Sequence, residues 1–279
     1  MNSYDLQKRI GFVGTMVSKS FDVTIQTSGA DDTFTLPLVE TYTYDAVVDW
    51  GDDSSSNITA YDDEDITHTY SVEGSYMIKI TGTFEAWSFN NIGDKLMATA
   101  VHFGSGVLFK YLLGGFYACS NLNSITGQIG DDSVTSFEKC FRGCVLLASI
   151  PTGLFNNNTS VTSFRECFGG CLAITSIPTS LFDNNTSVTS FEECFANTDI
   201  TSIPSGLFDN NTSVTSFEAC FSICTSLTGS SGEPWLNPSG AGNYTLSAPD
   251  YDSGVPEGYN CYAGSAHLSD YATIPTYWK

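Results

Sequence analysis

The sequence predicts a mainly β protein in two parts: a small antiparallel β-sandwich, then a solenoid of stacked repeats capped at both ends. Four stretches, SVTSFEKCFRGC from Ser133, SVTSFRECFGGC from Ser160, SVTSFEECFANT from Ser187 and SVTSFEACFSIC from Ser213, start 27, 27 and 26 residues apart. A fixed period of this size marks units that cannot bury their apolar face alone and must stack on their neighbours. Upstream, from Phe21 to about Gly82, short runs of alternating apolar and polar residues are broken by Gly, Asp and Ser clusters, the pattern of half-buried strands. Within each repeat, VTSF and ITSIP are β-branched and extended in character.

Residues 1–20 form a slightly basic arm, with Lys8, Arg9 and Lys19 against Asp5. Gln7, Lys8 and Arg9 stand where a secretory signal would carry its apolar core, so the expected place of synthesis is a host cytoplasm. No stretch approaches the 18 apolar residues of a membrane span. Residues 21–85 form the sandwich, with strands expected at FDVTIQ, DTFTLPL, DAVVDW, SNITAY, THTY and SYMIKITG. Residues 86–279 form the solenoid, and the stretch 83–106 is expected to open it with an irregular capping coil.

In the solenoid the period is first audible at GFYACSNLNSI, where Cys119 and Ile125 precede Cys144 and Ile150 by 25 residues. A last coil is expected at NCYAGSAHLSDYATIP, with Cys261 and Tyr262 in the places of Cys220 and Phe221. The segments FEECFANT and PSGLFDNN read as single helical turns, and the Pro after Ile150, Ile177 and Ile203 ends an extended segment. Stacked at the usual strand spacing, the coils give an array on the order of 30 Å long, right-handed as parallel coils are.

The charge narrows the partners. Thirty-one acidic and ten basic residues leave a formal charge of −21, which disfavours nucleic acid and anionic membranes as partners, since both are held through Lys/Arg surfaces. The acidity is spread over both halves and reads as colloidal protection. All nine cysteines lie at or beyond Cys119, on repeat positions, and are expected to be unpaired, as in a reducing compartment.

Two resemblances follow from these residues. VVDWGDDSSSNITAYDDEDITHTYSVEGSYMIKITG, from Val47 to Gly82, resembles the polycystic-kidney-disease (PKD) type of immunoglobulin-like domain, whose pattern runs WGDG, a spacer, H-x-Y and G-x-Y. Trp50, Gly51, Asp52, His68, Tyr70, Gly74 and Tyr76 match, and Asp53 replaces the last Gly. The repeats, TSF-x-x-CF-x-x-C followed by TSIP and LF, resemble the BspA-type leucine-rich repeats of bacterial surface proteins. The two modules in this order are similar to predicted proteins encoded by tailed bacteriophages, and the resemblance implies adhesion or a place on a virion surface.

Candidate chemistry is sparse. C-x-x-x-C recurs at Cys140/Cys144, Cys167/Cys171 and Cys220/Cys224, but the third repeat lacks its second cysteine. Zinc and disulfides are the alternatives to the preferred reading, a buried column in which Cys140, Cys167, Cys194 and Cys220 lie beside Phe141, Phe168, Phe195 and Phe221. Asp49, Asp52, Asp53 and the run Asp62, Asp63, Glu64, Asp65 read as a solvated loop, with calcium as the alternative. Glu138, Arg165, Glu192 and Glu218 should face one another on adjacent coils, Arg165 pairing with two carboxylates. The corners at Asn157, Asn158, Asn184, Asn185, Asn210 and Asn211 read as turns, with a glycan-contacting amide ridge as the alternative. Among the histidines, His68 belongs to the PKD-like pattern, while His102 and His267 fall near the solenoid ends; pairing of His267 with Cys261 as a nucleophile is disfavoured by the core place of Cys261. The C-terminal aromatics, from Trp235 to Trp278, read as an end cap, with a binding surface as the alternative.

No hydrolase, metalloprotease, phosphate-loop or nucleotide motif occurs, so no catalytic, cofactor-binding or metal residue is assigned and no cofactor is expected. The expected function is a non-enzymatic bacteriophage virion surface protein, a head decoration or a fibre component. Its arm would hold other capsid or tail proteins, and its solenoid would face a host surface glycan or protein. The rivals are a bacterial cell-surface adhesin and a tail-associated polysaccharide-degrading enzyme.

Overall fold

The alternation of the N-terminal segment becomes six strands. In the computed structural model, which describes residues 20–130, 132–228, 261–265 and 268, they are β1 (Phe21–Gln26), β2 (Asp32–Thr35), β3 (Tyr44–Asp49), β4 (Ser55–Ile58), β5 (Thr67–Tyr70) and β6 (Ser75–Phe84). Strand β3 buries every second residue, Tyr44, Ala46 and Val48, and exposes the rest, as a strand with one face on a core must. A single 3₁₀ turn, Glu64–Ile66, precedes β5, and its cap is the Asp63 carboxylate accepting from the Asp65 amide. The described protein is mainly β.

Two further strands lie beyond residue 85. Strand β7 (Ala98–Phe103) pairs antiparallel with β1, and β8 (Ser124–Gly127) pairs parallel with β7. The result is a mixed six-stranded sheet in the order β4-β3-β6-β1-β7-β8, faced by the two-stranded sheet β2-β5. The stretch 83–106 is only in part the irregular cap that the sequence suggests: residues 85–97 are irregular, but β6 runs through Phe84 and β7 takes up Ala98–Phe103, its pairing with β1 broken by one register shift at Thr24/Ile25. The sheet thus carries on across residue 85, and β1 covers the edge of β7 that a free repeat would leave open.

Past β8 the repeats meet rung on rung. Isolated parallel bridges join Ser136, Ser163, Ser190 and Ser216. In the segment after each bridge, alternate amides leave the coil: the N–H groups of Phe137, Lys139, Phe141 and Gly143 donate to the carbonyls of Ser163, Arg165, Cys167 and Gly169 on the next one. The amides between them stay home, Cys140 donating to Phe137, Arg142 to Lys139 and Cys144 to Phe141. An α-helix would consume every amide within the coil, so the expected helical turns are tight turns instead. Two left-handed positions per coil make this geometry: Gly114, Lys139, Glu166, Glu193 and Ala219 form one column, and Ala118, Gly143, Gly170, Asn197, Ile223 and Gly264 the other.

Phenylalanines fill the interior. Phe116, Phe141, Phe168, Phe195, Phe221 and Tyr262 stack nearly parallel, with neighbouring centroids 5.5 to 5.7 Å apart. Phe137, Phe164, Phe191 and Phe217 form a second column, and Phe155, Phe182 and Phe208 a third that wedges against it. At the junction Phe116 also touches Phe21, Trp87 and Phe103, so sheets and repeats share one core.

Candidate functional site

The residues matching the PKD pattern converge on one feature. Trp50 stacks on His68 at 4.9 Å, His68 meets Tyr70 edge-on at 4.7 Å, and Tyr70 stacks on Tyr76 at 4.2 Å. Tyr70 donates its hydroxyl to the Trp50 carbonyl. Gly51 has φ +82°, and a Cβ there would meet the Met77 backbone at 2.8 Å, so only glycine fits. His68 Nε2 lies 2.7 Å from Asp52 Oδ2, and the Ser54 hydroxyl donates to Asp52 Oδ1. Burial acts to raise the Asp52 pKa, but the hydrogen bonds from Ser54 and His68 outweigh it and hold the carboxyl below its ordinary value.

Serine, histidine and aspartate therefore meet here, yet not as a catalytic triad. In a triad the carboxylate takes one ring nitrogen and the serine the other; here Asp52 and Ser54 both approach Nε2, the latter at 3.5 Å. The trio ties the loop after β3 to β5. Other acids of this region are likewise engaged in turns: Asp49 accepts from the Gly51 amide, and Asp63 from the Thr59 amide and hydroxyl and the Asp65 amide. Among the described residues no group of three His, Cys, Asp or Glu side chains is arranged to hold a metal ion.

All nine cysteines are buried and unpaired. Cys140, Cys167, Cys194 and Cys220 take the core places beside the first phenylalanine column. The second cysteines share a property that sequence did not disclose: the thiols of Cys144, Cys171 and Cys224 donate to the carbonyls of Phe116, Phe141 and Phe195 on the preceding coil, at 3.1 to 3.2 Å. The same column holds Thr198, whose hydroxyl donates to the Phe195 carbonyl, and Ser265, whose hydroxyl donates to that of Phe221. The position thus selects a small S–H or O–H donor, which accounts for the repeat without a second cysteine. Desolvation raises the thiol pKa of Cys140, Cys144, Cys167, Cys171, Cys194, Cys220 and Cys224, that of Cys171 to about 12 and those of Cys167 and Cys194 well above the ordinary value. A protonated, buried thiol is a poor nucleophile and a poor metal ligand.

The asparagine corners divide by depth. Asn158, Asn185 and Asn211 are buried, and the Asn185 amide donates to the Phe155 and Asn158 carbonyls, as Asn211 does to Phe182 and Asn185. Asn157, Asn184 and Asn210 are exposed. The expected amide ridge is therefore half interior ladder and half surface.

On the charged corner, Arg165 bridges Glu138 at 3.2 Å and Glu192 at 2.9 Å. Beside it lies a residue that sequence reasoning missed: Glu166 is only 3% exposed and is paired with Arg142, Lys139 and Arg165. Its signal was the local surplus of cations, since Lys139, Arg142 and Arg165 are half of the six basic residues between 20 and 228. Away from this corner, Ser133, Ser160, Ser187 and Ser213 and the threonines two places on, Thr135, Thr162, Thr189 and Thr215, are all exposed around a buried valine. Thr162, Thr189 and Thr215 each donate a hydroxyl to the threonine carbonyl of the preceding rung. The outward strip of the repeats is lined with hydroxyls, and at its first rung the Asp132 carboxylate accepts from the Ser160 amide and hydroxyl.

Of the C-terminal aromatics Tyr262 is buried and stacks on Phe221; the others from Trp235 to Trp278, the arm of residues 1–19 and His267 lie outside the described residues. Among those described, no helix is long and apolar enough to cross a membrane. Compared with known protein families, curated proteins and solved structures, the chain has no match.

Proposed function

We propose that this protein is a non-enzymatic bacteriophage virion surface component, a PKD-like sandwich bearing a leucine-rich-repeat-type solenoid that projects as a binding or shielding face. The observation that carries this reading is strand β7, which pairs with β1 on one side and with the first repeat strand β8 on the other. A strand shared in this way makes sandwich and solenoid one stiff body. The chain enters at β1, next to the first rung, while the last described coil, 261–265, stacks on the far end. A polypeptide rooted at its N-terminal end and presenting a regular outer strip suits a decoration or fibre better than a catalyst. The hydroxyl columns fit a host glycan or protein surface, and the buried thiols fit assembly in a reducing cytoplasm.

Peptide mass spectrometry on purified phage particles from the source community tests the reading. Hundreds of copies relative to the major capsid protein identify a head decoration, and a few to tens a tail or vertex fibre. Absence from particles, with the chain on bacterial envelopes, replaces the proposal by the adhesin. Deleting residues 1–20 is expected to abolish incorporation; full incorporation of the shortened chain overturns the anchoring role of the arm.

A further inference from the structure

The inner face of the six-stranded sheet is the core; its outer face carries no other element among the described residues. The strand registers set one row of side chains across it. Asp49 lies opposite Ser55 on β4 and Lys79 on β6; Lys79 lies opposite Asp22 on β1; Asp22 lies opposite His102 on β7; and His102 lies beside Thr126 on β8. Across the sheet the row reads Ser55, Asp49, Lys79, Asp22, His102, Thr126. Each is exposed or half-buried, and the four central ones, Asp49, Lys79, Asp22 and His102, are flanked along their strands by buried core residues such as Val48, Ile78, Ile80, Phe21, Val23 and Val101.

This row is its own complement. A two-fold axis lying along the strands between β6 and β1 turns the row end for end: Lys79 then faces Asp22, Asp49 faces His102, and Ser55 faces Thr126, each twice. Two residues along β6 and β1, Met77, 45% exposed, faces Thr24. Within the chain Lys79 makes no ion pair among the described residues, Asp22 keeps one buried oxygen, Oδ1, without a hydrogen-bond partner there, Asp49 accepts from the Gly51 amide and His102 bonds to Thr126. Opposite charges meeting opposite charges is what fixes register and partner at an interface, and self-complementarity is what an isologous dimer requires.

We infer that the outer face of the six-stranded sheet binds a second copy of this chain, sheet on sheet, about an axis between β6 and β1. Aligned sheets pack in this way with a rotation of about 30°. Six strands by about six residues give roughly 500 Å² per copy, close to the lower bound of about 1,000 Å² in total for a specific contact, so the dimer is reversible and salt-sensitive. Its geometry sends the two repeat stacks in opposite directions and brings both copies of Ser20, at the start of β1 beside the axis, to the centre.

Sedimentation analysis of the full chain over a concentration series is expected to show a monomer–dimer equilibrium that weakens with added salt. Lys79→Asp and Asp22→Lys are each expected to weaken self-association at least about tenfold, because like charges then face one another. A one-to-one mixture of the two variants regains it, since the central pair of one chain is then wholly acidic and meets a wholly basic pair on the other. Should Asp22→Lys fail to fold, Lys79→Asp and Met77→Arg, both at exposed positions, still report; neither should dimerise. A wild-type chain that is monomeric up to about 1 mM, a Lys79→Asp chain that dimerises as before, or a mixture of folded variants that does not associate overturns the inference. So does Lys79 of a monomer that resists amine labelling until residues 1–19 are removed, which assigns the face to that arm.

Discussion

The N-terminal sheets and the repeat stack satisfy their backbones by different routes. In the sheets, partners are far apart in sequence: β1 pairs with β6 and β7, and β3 with β6. The acids there accept from backbone amides of neighbouring loops, as Asp32 at the start of β2, Asp52, Asp63 and Glu85 do. In the stack each coil bonds only to the ones before and after it, and apart from Glu166 with its cations its interior polar groups are neutral: thiols, hydroxyls and amides repeated from rung to rung. The comparison teaches that a stacked-repeat core tolerates buried polar atoms when each donor finds a main-chain carbonyl, of the preceding rung for Cys144, Cys171, Cys224 and Asn185 and of its own for Thr198, whereas a sheet core keeps polar atoms at its margins.

The largest expected difference between the two regions is in how damage spreads. Phe168 lies between Phe141 and Phe195, so Phe168→Ala should cost about 3–5 kcal/mol through lost burial and the cavity left behind. Its effect should be confined to the rungs around it, because contacts there are nearest-neighbour. Hydrogen exchange should show lost protection near residues 137–197 with β1 to β6 kept; uniform loss across both regions would show that the molecule unfolds as one unit.

Depth in the asparagine ladder comes next. Asn185→Ala removes two buried side-chain hydrogen bonds and leaves the Phe155 and Asn158 carbonyls with only their backbone donors, the Asn158 and Val161 amides, for about 1–3 kcal/mol. Asn184→Ala, at its exposed neighbour, should stay within about 0.5 kcal/mol. Equal midpoints for the two variants in urea would remove the ladder from the account of stability.

The smallest expected effect is on acid response. Folded-state pKa values are lowered at Asp32 by the Ser28 backbone amide and hydroxyl, at Asp63 by the Thr59 and Asp65 amides, and at Glu85 by Lys110. At Asp52 the lowering survives an opposing burial effect. Lowered carboxyls contribute stability that is present above their unfolded pKa, about 4, and is lost as pH falls through the lower folded values. In the stack Asp132, held by Ser160, behaves in the same way. Acid should therefore loosen the sheets before most of the stack, and Asp52→Asn should reduce the pH dependence of β5 exchange. Simultaneous loss of both regions would argue against this distribution of acid sensitivity.

Much of this was legible before any coordinates. All six expected N-terminal strands occur, because strict alternation at period two leaves a chain one way to bury one face. The charge column at Arg165 and the core places of the cysteines followed from period alone, since equivalent residues must face one another in a stack. The helical turns do not form: Phe, Glu, Cys and Ala at those positions suit a helix, and local preference says nothing about an amide taken by the next coil. Glu166 escaped sequence reasoning because its burial depends on three cations that converge from two adjacent coils.

By itself, the sequence determined the β character, the repeat period, the interior phenylalanines and the absence of a recognisable catalytic motif, all properties of pattern and residue type. Only the tertiary structure decided that β7 joins the sheet to the repeats, that Thr198 and Ser265 stand in for cysteine, that one asparagine of each pair turns inward, and that Asp49, Lys79, Asp22 and His102 share a row. The physical reason is the same in each case. These features depend on strand register and on which carbonyl lies one rung away, and register is set by the whole core rather than by any segment of it.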